Sequence, residues 1–234
     1  MAEGHERLRS NPYPGRGIIT GLDQTGRYLL QIYFITARSA GSKNRVLVID
    51  GSDVRTQPFD EAGRTDDPNI YYRALAATGD RHIVSNGSHT DLILDQVTAG
   101  GSFEDAVRLT SYETDAPNFT PRIAGLADLS GSRPVLYLAN AVKGSTVDTL
   151  HSVYVYAAAE AGAGYCLHTY ATDGDPVPSF TQRPYELALR GTPAEVAAGV
   201  WDLLPPERRV ALALKAIDVA TKRIVTLDVR NTLA

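Results

Sequence analysis

A single cysteine, Cys166, stands in 234 residues, which rules out an intramolecular disulfide. Such usage fits a reducing compartment, and the cytoplasm is the expected location. Positive charge is not in excess either: 23 Lys and Arg face 27 Asp and Glu, for a formal net charge of −4. A nucleic-acid partner, which demands a concentrated basic face, is therefore not expected. No run of about 18 uncharged apolar residues occurs, and the opening MAEGHERLRSNPYPGRG lacks the apolar core of a signal peptide. Neither membrane contact nor secretion is expected. Absent too are the phosphate-loop patterns, GxxxxGK followed by Ser or Thr and GxGxxG after a strand, so Gly15-Arg16-Gly17 reads as a close backbone approach with Arg16 pointing into a cleft. His89 has no second histidine at metal-ligand spacing, since His82 lies within a strand-to-loop passage, and metal catalysis is not expected.

What is present suffices for a substantial core: 43% of the residues are hydrophobic and 21% charged, an ordinary globular balance. Residues 1–12 read as a polar lead-in, Pro12 and Pro14 disfavouring helix. A hairpin follows, Gly17 to Leu22 and Arg27 to Ala37 around a turn at Asp23 to Gly26. Ser39 to Asn44 is a loop, and Arg45 to Asp50 a strand whose unbroken apolar run predicts burial on both faces. After a connection through Asp67-Pro68, Asn69 to Ala77 is a short strand or helix, and His82 to Val84 a strand. Leu92 to Ala99 and Ser102 to Tyr112 are predicted helices, Ser102 serving as N-cap. Strands are expected at Arg122 to Leu126, Pro134 to Val142 and Val153 to Tyr156, with a further candidate at Tyr165 to Tyr170. Thr192-Pro193-Ala194-Glu195 caps a helix running to Leu203. Val210 to Val219 is helix or strand, and Ile224 to Val229 a last strand. One α+β domain spanning 1–234, with packed sheets and outer helices, is the expectation.

The densest polar stretch is Ser85-Asn86-Gly87-Ser88-His89-Thr90-Asp91, set directly after the apolar pair Ile83-Val84 at a strand exit. Polar groups crowded there face a ligand, or form a plain Asn-Gly turn. Its company favours the ligand: Arg38 with Asn44-Arg45, Tyr71-Tyr72 with Arg73, and Tyr112-Glu113 followed by Asn118 to Arg122 all lie at element boundaries, where side chains converge on clefts. Arg45 can grip an anion bidentately while its stem packs; a solvated strand-end arginine is the alternative, for Arg38 and Arg122 as well. Glu113, following an apolar-faced helix, is placed for burial and a raised pKa suited to proton transfer, or else is a surface carboxylate. Tyr72 is a pocket donor or a core residue with a wet tip.

YPGRGI, the Asn-Arg of SKNR, DPNIYY, VSNGSHTD, Tyr-Glu and NFTPRIAG occur in that order between Tyr13 and Gly125, and this combination resembles the archaeal-type IMP cyclohydrolase family. The resemblance implies an N-terminal-nucleophile-hydrolase-like fold, a four-layer αββα sandwich, following an N-terminal extension over 1–12. It implies ring closure of 5-formamidoimidazole-4-carboxamide ribonucleotide to inosine monophosphate (IMP) with loss of water, without metal or organic cofactor. Amide hydrolysis is not expected, because a dozen residues precede Tyr13 and leave no nucleophile at a free amino terminus there. By motif, Arg45, Tyr72 and Glu113 carry the chemistry, while Arg16, Arg38, Asn44, Asn86, Gly87, Ser88, His89, Thr120 and Arg122 surround a small ribonucleotide substrate. Family members assemble, so a homo-oligomer is implied. Two alternatives stay open: a paralogue closing a related heterocyclic carboxamide ribonucleotide, and a purine-nucleotide-binding protein without turnover.

Overall fold

Two antiparallel sheets organise the chain in a computed structural model that describes residues 2–65, 67, 69–145 and 148–233. The expected hairpin forms the middle of the first sheet: β1 (Arg16–Leu22) pairs with β2 (Tyr28–Thr36), Ile18 lying opposite Tyr33. Both strands are buried almost throughout, and each gains a neighbour from the far end of the chain. Strand β10 (Ala163–His168) adds to β1 and β12 (Arg209–Asp218) to β2, with β11 (Tyr185–Ala188) and β13 (Ile224–Asn231) at the edges.

The second sheet is a meander in sequence order: β3 (Val46–Asp50), β4 (Asp53–Gln57), β5 (Arg73–Thr78), β6 (Arg81–Ser85), β7 (Arg122–Asp128), β8 (Val135–Lys143) and β9 (Thr149–Tyr156). Helices α3 (His89–Thr98) and α4 (Phe103–Arg108) link β6 to β7, and their apolar stripe of Ile93, Val97, Phe103 and Val107 packs on Ile83, Ala124 and Leu126. Helix α5 (Pro193–Leu203) opens with the expected capping box, Thr192 with Glu195, and buries Val196, Val200 and Leu203 in the main core beside β12.

Several expectations are corrected. Residues 2–10 form a helix, α1 (Ala2–Ser10). Pro12 and Pro14 lie beyond its end and stop it rather than prevent it. Docking holds it: Leu8 is fully buried, and Gly4 approaches the Glu186 carbonyl of β11 so closely that a β-carbon would collide with it. The helix expected to reach Tyr112 ends at Arg108, and α3 starts at His89, earlier than Leu92. The apolar run after Arg45 is an edge strand in which only Leu47 is buried, and β4 and β11 had no counterpart in the sequence reading. A short helix, α2 (Ala40–Lys43), occupies the expected loop. Pro68 of the expected Asp-Pro turn lies outside the described residues.

A polar row crosses the interface between the sheets. Thr20, Gln31 and Lys215 stand in register on β1, β2 and β12. The Gln31 amide donates to the His82 carbonyl at 3.0 Å and Lys215 Nζ to the Ala76 carbonyl at 3.2 Å. Lys215 is 0% exposed, and burial drives its pKa down to about 8.

Candidate functional site

Glu113 is the centre of a buried ion cluster. It lies on the loop between α4 and β7, with its backbone N–H donating to the Thr120 carbonyl at 2.8 Å. Its Oε1 accepts from two guanidiniums, Arg16 of β1 at 2.8 Å and Arg122 of β7 at 2.9 Å. Burial pushes the Glu113 carboxyl above its ordinary pKa, while the two guanidiniums pull the other way. Arg122 also donates to Asn69 Oδ1 at 2.6 Å, and Arg16 to the Asn86 carbonyl at 3.2 Å.

Arg16, Glu113, Thr120 and Arg45 line one pocket of about 110 Å³. Arg45 is 3% exposed; its Nε donates to the Ser42 carbonyl at 2.8 Å, while its buried Nη1 has no hydrogen-bond partner among the described residues. A buried guanidinium N–H without a partner is costly and calls for an acceptor. Whereas Arg16 and Arg122 are engaged by the glutamate, Arg45 has a donor to spare. At the back wall, Thr120 is held by Asp115 through its N–H at 2.7 Å, and its hydroxyl meets the Tyr170 hydroxyl at 2.5 Å. A larger cavity of about 510 Å³ lies elsewhere, between α1 and β11, where Arg7 and Arg183 are balanced by Glu3 and Glu186.

Tyr72 is buried just ahead of β5, its hydroxyl 2.5 Å from that of Tyr33. It does not line the pocket. The polar loop after β6 turns largely on itself. Asn86 spends both amide atoms on the start of β7 and the residue ahead of it, donating to the Pro121 carbonyl at 2.9 Å and accepting from the Ile123 N–H at 2.8 Å. His89 Nε2 donates to the Ile123 carbonyl at 3.1 Å; burial, with Arg122 nearby, lowers its pKa to about 3, leaving the ring neutral. Gly87 lies against the Arg122 guanidinium, where a β-carbon would collide with it. The loop thus braces Arg16 and Arg122. Ser88 is exposed and makes no capping bond. Two further residues stand off the pocket: Asn44 is clamped to Asp60, and Arg38 pairs with Asp173 at 2.8 Å.

The sequence reading missed Tyr33, Asp115 and Tyr170, which carry no local signal. Asn69 was within reach, being part of DPNIYY.

Two antiparallel sheets with a few helices thus carry a buried carboxylate–guanidinium cluster beside a pocket lined by Arg45. The chain belongs to the IMP cyclohydrolase-like protein family, whose model matches residues 13–222. It is 37% identical over 131 residues to a Methanothrix thermoacetophila protein named IMP cyclohydrolase, a stretch covering 54% of this chain and 62% of the relative. Proteins of the same name from Haloquadratum walsbyi and Methanococcus maripaludis are 32% and 35% identical over 122 and 117 residues, covering 58% and 56% of their lengths. The matched stretch thus spans about half of this chain and less than two thirds of those relatives.

Proposed function

We propose that this chain is an IMP cyclohydrolase, closing the ring of 5-formamidoimidazole-4-carboxamide ribonucleotide with loss of water. The observation that carries this is the pairing, in one pocket, of a buried arginine whose Nη1 has no partner among the described residues and a buried glutamate held by two guanidiniums through Oε1. In the reaction the carboxamide nitrogen attacks the formyl carbon and loses one proton, the formamido nitrogen loses another as the ring C=N bond forms, and the formyl oxygen gathers charge and leaves with both as water. Glu113 Oε2 takes a proton from nitrogen and returns it to the departing oxygen. Oε1 stays tied to Arg16 and Arg122, which hold the carboxylate in place. Arg45 Nη1 binds an anionic group of the ligand or the developing oxyanion. At about 110 Å³ the pocket is smaller than the roughly 300–1,000 Å³ of sites that enclose a whole small molecule, so it receives one end of the ribonucleotide. Because the reaction is intramolecular, holding both groups in contact supplies much of the acceleration.

The same reading takes 1–234 as a single domain with a four-layer αββα, N-terminal-nucleophile-hydrolase-like architecture, working as a homo-oligomer in the cytoplasm without a cofactor. Among the described residues no helix is long and apolar enough to cross a membrane.

Ultraviolet detection of IMP from the purified chain and the formamido ribonucleotide tests the proposal. Product formation supports it. Turnover of an analogue alone supports the paralogue, and ligand-dependent melting without product supports a binding protein.

Two variants sharpen it. Arg45→Met removes the spare donor, and IMP affinity measured by calorimetry should fall about 30-fold or more, as for loss of a buried charge contact; unchanged affinity would free Arg45 of ligand contact. Gly87→Ala forces Arg122 aside, and kcat/KM should drop by roughly 10²-fold, the scale expected for misplacement by about 1 Å. A wild-type kcat/KM in that variant would show that Arg122 has room to yield.

A further inference from the structure

One wall of the pocket is a chain of hydrogen bonds whose direction is fixed. Asp115, Thr120 and Tyr170 all line the pocket together with Glu113 and Arg45. Asp115 holds Thr120 with both carboxylate oxygens: Oδ1 accepts from the Thr120 N–H at 2.7 Å, and Oδ2 accepts from its hydroxyl. A threonine hydroxyl has one hydrogen and a carboxylate has none to give, so the Thr120 hydrogen is committed to Asp115. In the 2.5 Å contact between the Thr120 and Tyr170 hydroxyls, the hydrogen is therefore that of Tyr170. Having donated it, the phenol oxygen can meet any further group only as an acceptor.

The ring has little room to carry this oxygen elsewhere. Tyr170 is 6% exposed and stacks on Tyr13, another residue of the pocket lining, with centroids 5.2 Å apart at 28°. Gly15 lies against the ring so closely that a β-carbon would collide with it. The Tyr170 carbonyl accepts from the Asn11 amide at 3.0 Å. Thr120 is fixed on its other side, its carbonyl accepting from the Glu113 N–H at 2.8 Å. One residue thus ties the loop that carries Glu113 to the hydroxyl of Tyr170.

We infer that Tyr170 is a specificity-determining acceptor that reads an N–H of the ligand, and that Asp115, acting through Thr120, is the positioning residue that gives it this polarity. The inference rests on the cyclohydrolase reading above, which supplies the N–H. Of the two hydrogens on the carboxamide nitrogen, one is lost in ring closure and the other stays as the ring N–H of IMP, and Tyr170 accepts from the one that stays. A ligand with a lone pair at that place is rejected, because two facing acceptors are both left unpaired and desolvated. Asp115→Asn reverses the chain. The Asn oxygen must face the Thr120 N–H, so its amide N–H faces the hydroxyl; Thr120 then donates to Tyr170, and the Tyr170 hydrogen turns to the pocket.

The experiment compares, by calorimetry, the affinity for IMP with that for purine ribonucleotide, whose corresponding ring nitrogen has a lone pair and no hydrogen. It is run on the unaltered chain, Tyr170→Phe and Asp115→Asn. The unaltered chain should prefer IMP. Tyr170→Phe removes the acceptor, so that preference should fall about tenfold or more, and Asp115→Asn, which turns the acceptor into a donor, should lower it further. A merely structural role would weaken both nucleotides alike and leave their ratio as it was. No preference in the unaltered chain, an unchanged ratio in either variant, or a smaller fall in Asp115→Asn than in Tyr170→Phe would overturn the inference. Where Asp115→Asn does not fold, Tyr170→Phe decides. Binding of IMP without its formation ends the cyclohydrolase reading alone and leaves the ratio to judge Tyr170, whereas no IMP binding by the unaltered chain overturns both.

Discussion

Glu113→Gln should lower turnover of the formamido ribonucleotide by about 10²-fold or more, the scale of general acid–base catalysis, while IMP still binds. The amide keeps an oxygen for Arg16 and Arg122 but has no atom that can accept and return a proton. Bound IMP, seen as a rise in melting temperature, shows that the fold survives the loss of the buried counter-charge, which is itself destabilising. The pH profile adds a second reading. Only the ionised carboxylate accepts a proton, and burial raises its pKa, so the acid limb of kcat/KM should sit above the ordinary glutamate range and vanish in the variant. A wild-type rate in Glu113→Gln would remove this residue from the mechanism.

Lys215→Met should make the protein more stable at pH 7 by about 2–3 kcal/mol. In the folded state the Lys215 pKa is depressed from 10.5 to about 8, a penalty of about 3 kcal/mol on the charged form, offset in the variant by loss of one hydrogen bond worth about 1 kcal/mol. The direction with pH follows. Between about 8 and 10.5 the unfolded chain holds the proton that the folded chain has released, so wild-type stability gains as pH rises through that window. Below about 8 the full penalty stands. Urea unfolding at pH 7 and 9.5 should therefore show the gap between variant and wild type shrinking at the higher pH. An equal gap at both values, or a less stable variant, would mean that Lys215 contributes through contacts other than its charge.

Much of the fold was legible where local chemistry decides structure. The β1–β2 hairpin, the Ser102 cap and the Thr192–Glu195 capping box were readable because turn and cap residues act over a few positions. Helix α1 was not, since its nine residues hold a single leucine and owe their order to docking on β11. Val46 to Ile49 misled for a related reason: an apolar run gives no sign of whether a partner strand lies on both sides. At the site, residue types were readable and orientations were not. The crowded loop after β6 looked like a ligand-facing surface, yet Asn86 and His89 spend themselves on the backbone of residues 121 and 123. Arg45 and Arg16 are alike in composition and burial, and only the contacts separate the committed guanidinium from the one with a donor left.

The order of strands in the first sheet carries a consequence for how the molecule is made. β1 and β2 emerge early from a ribosome, yet the neighbours that cover them, β10 and β12, begin at residues 163 and 209. During synthesis the early hairpin must wait with both flanks bare, exposed to pairing with other nascent chains. Crowded translation of this message should thus favour entanglement between neighbouring copies, and a holding chaperone would act on residues 16–36 more than on the sequential meander that follows.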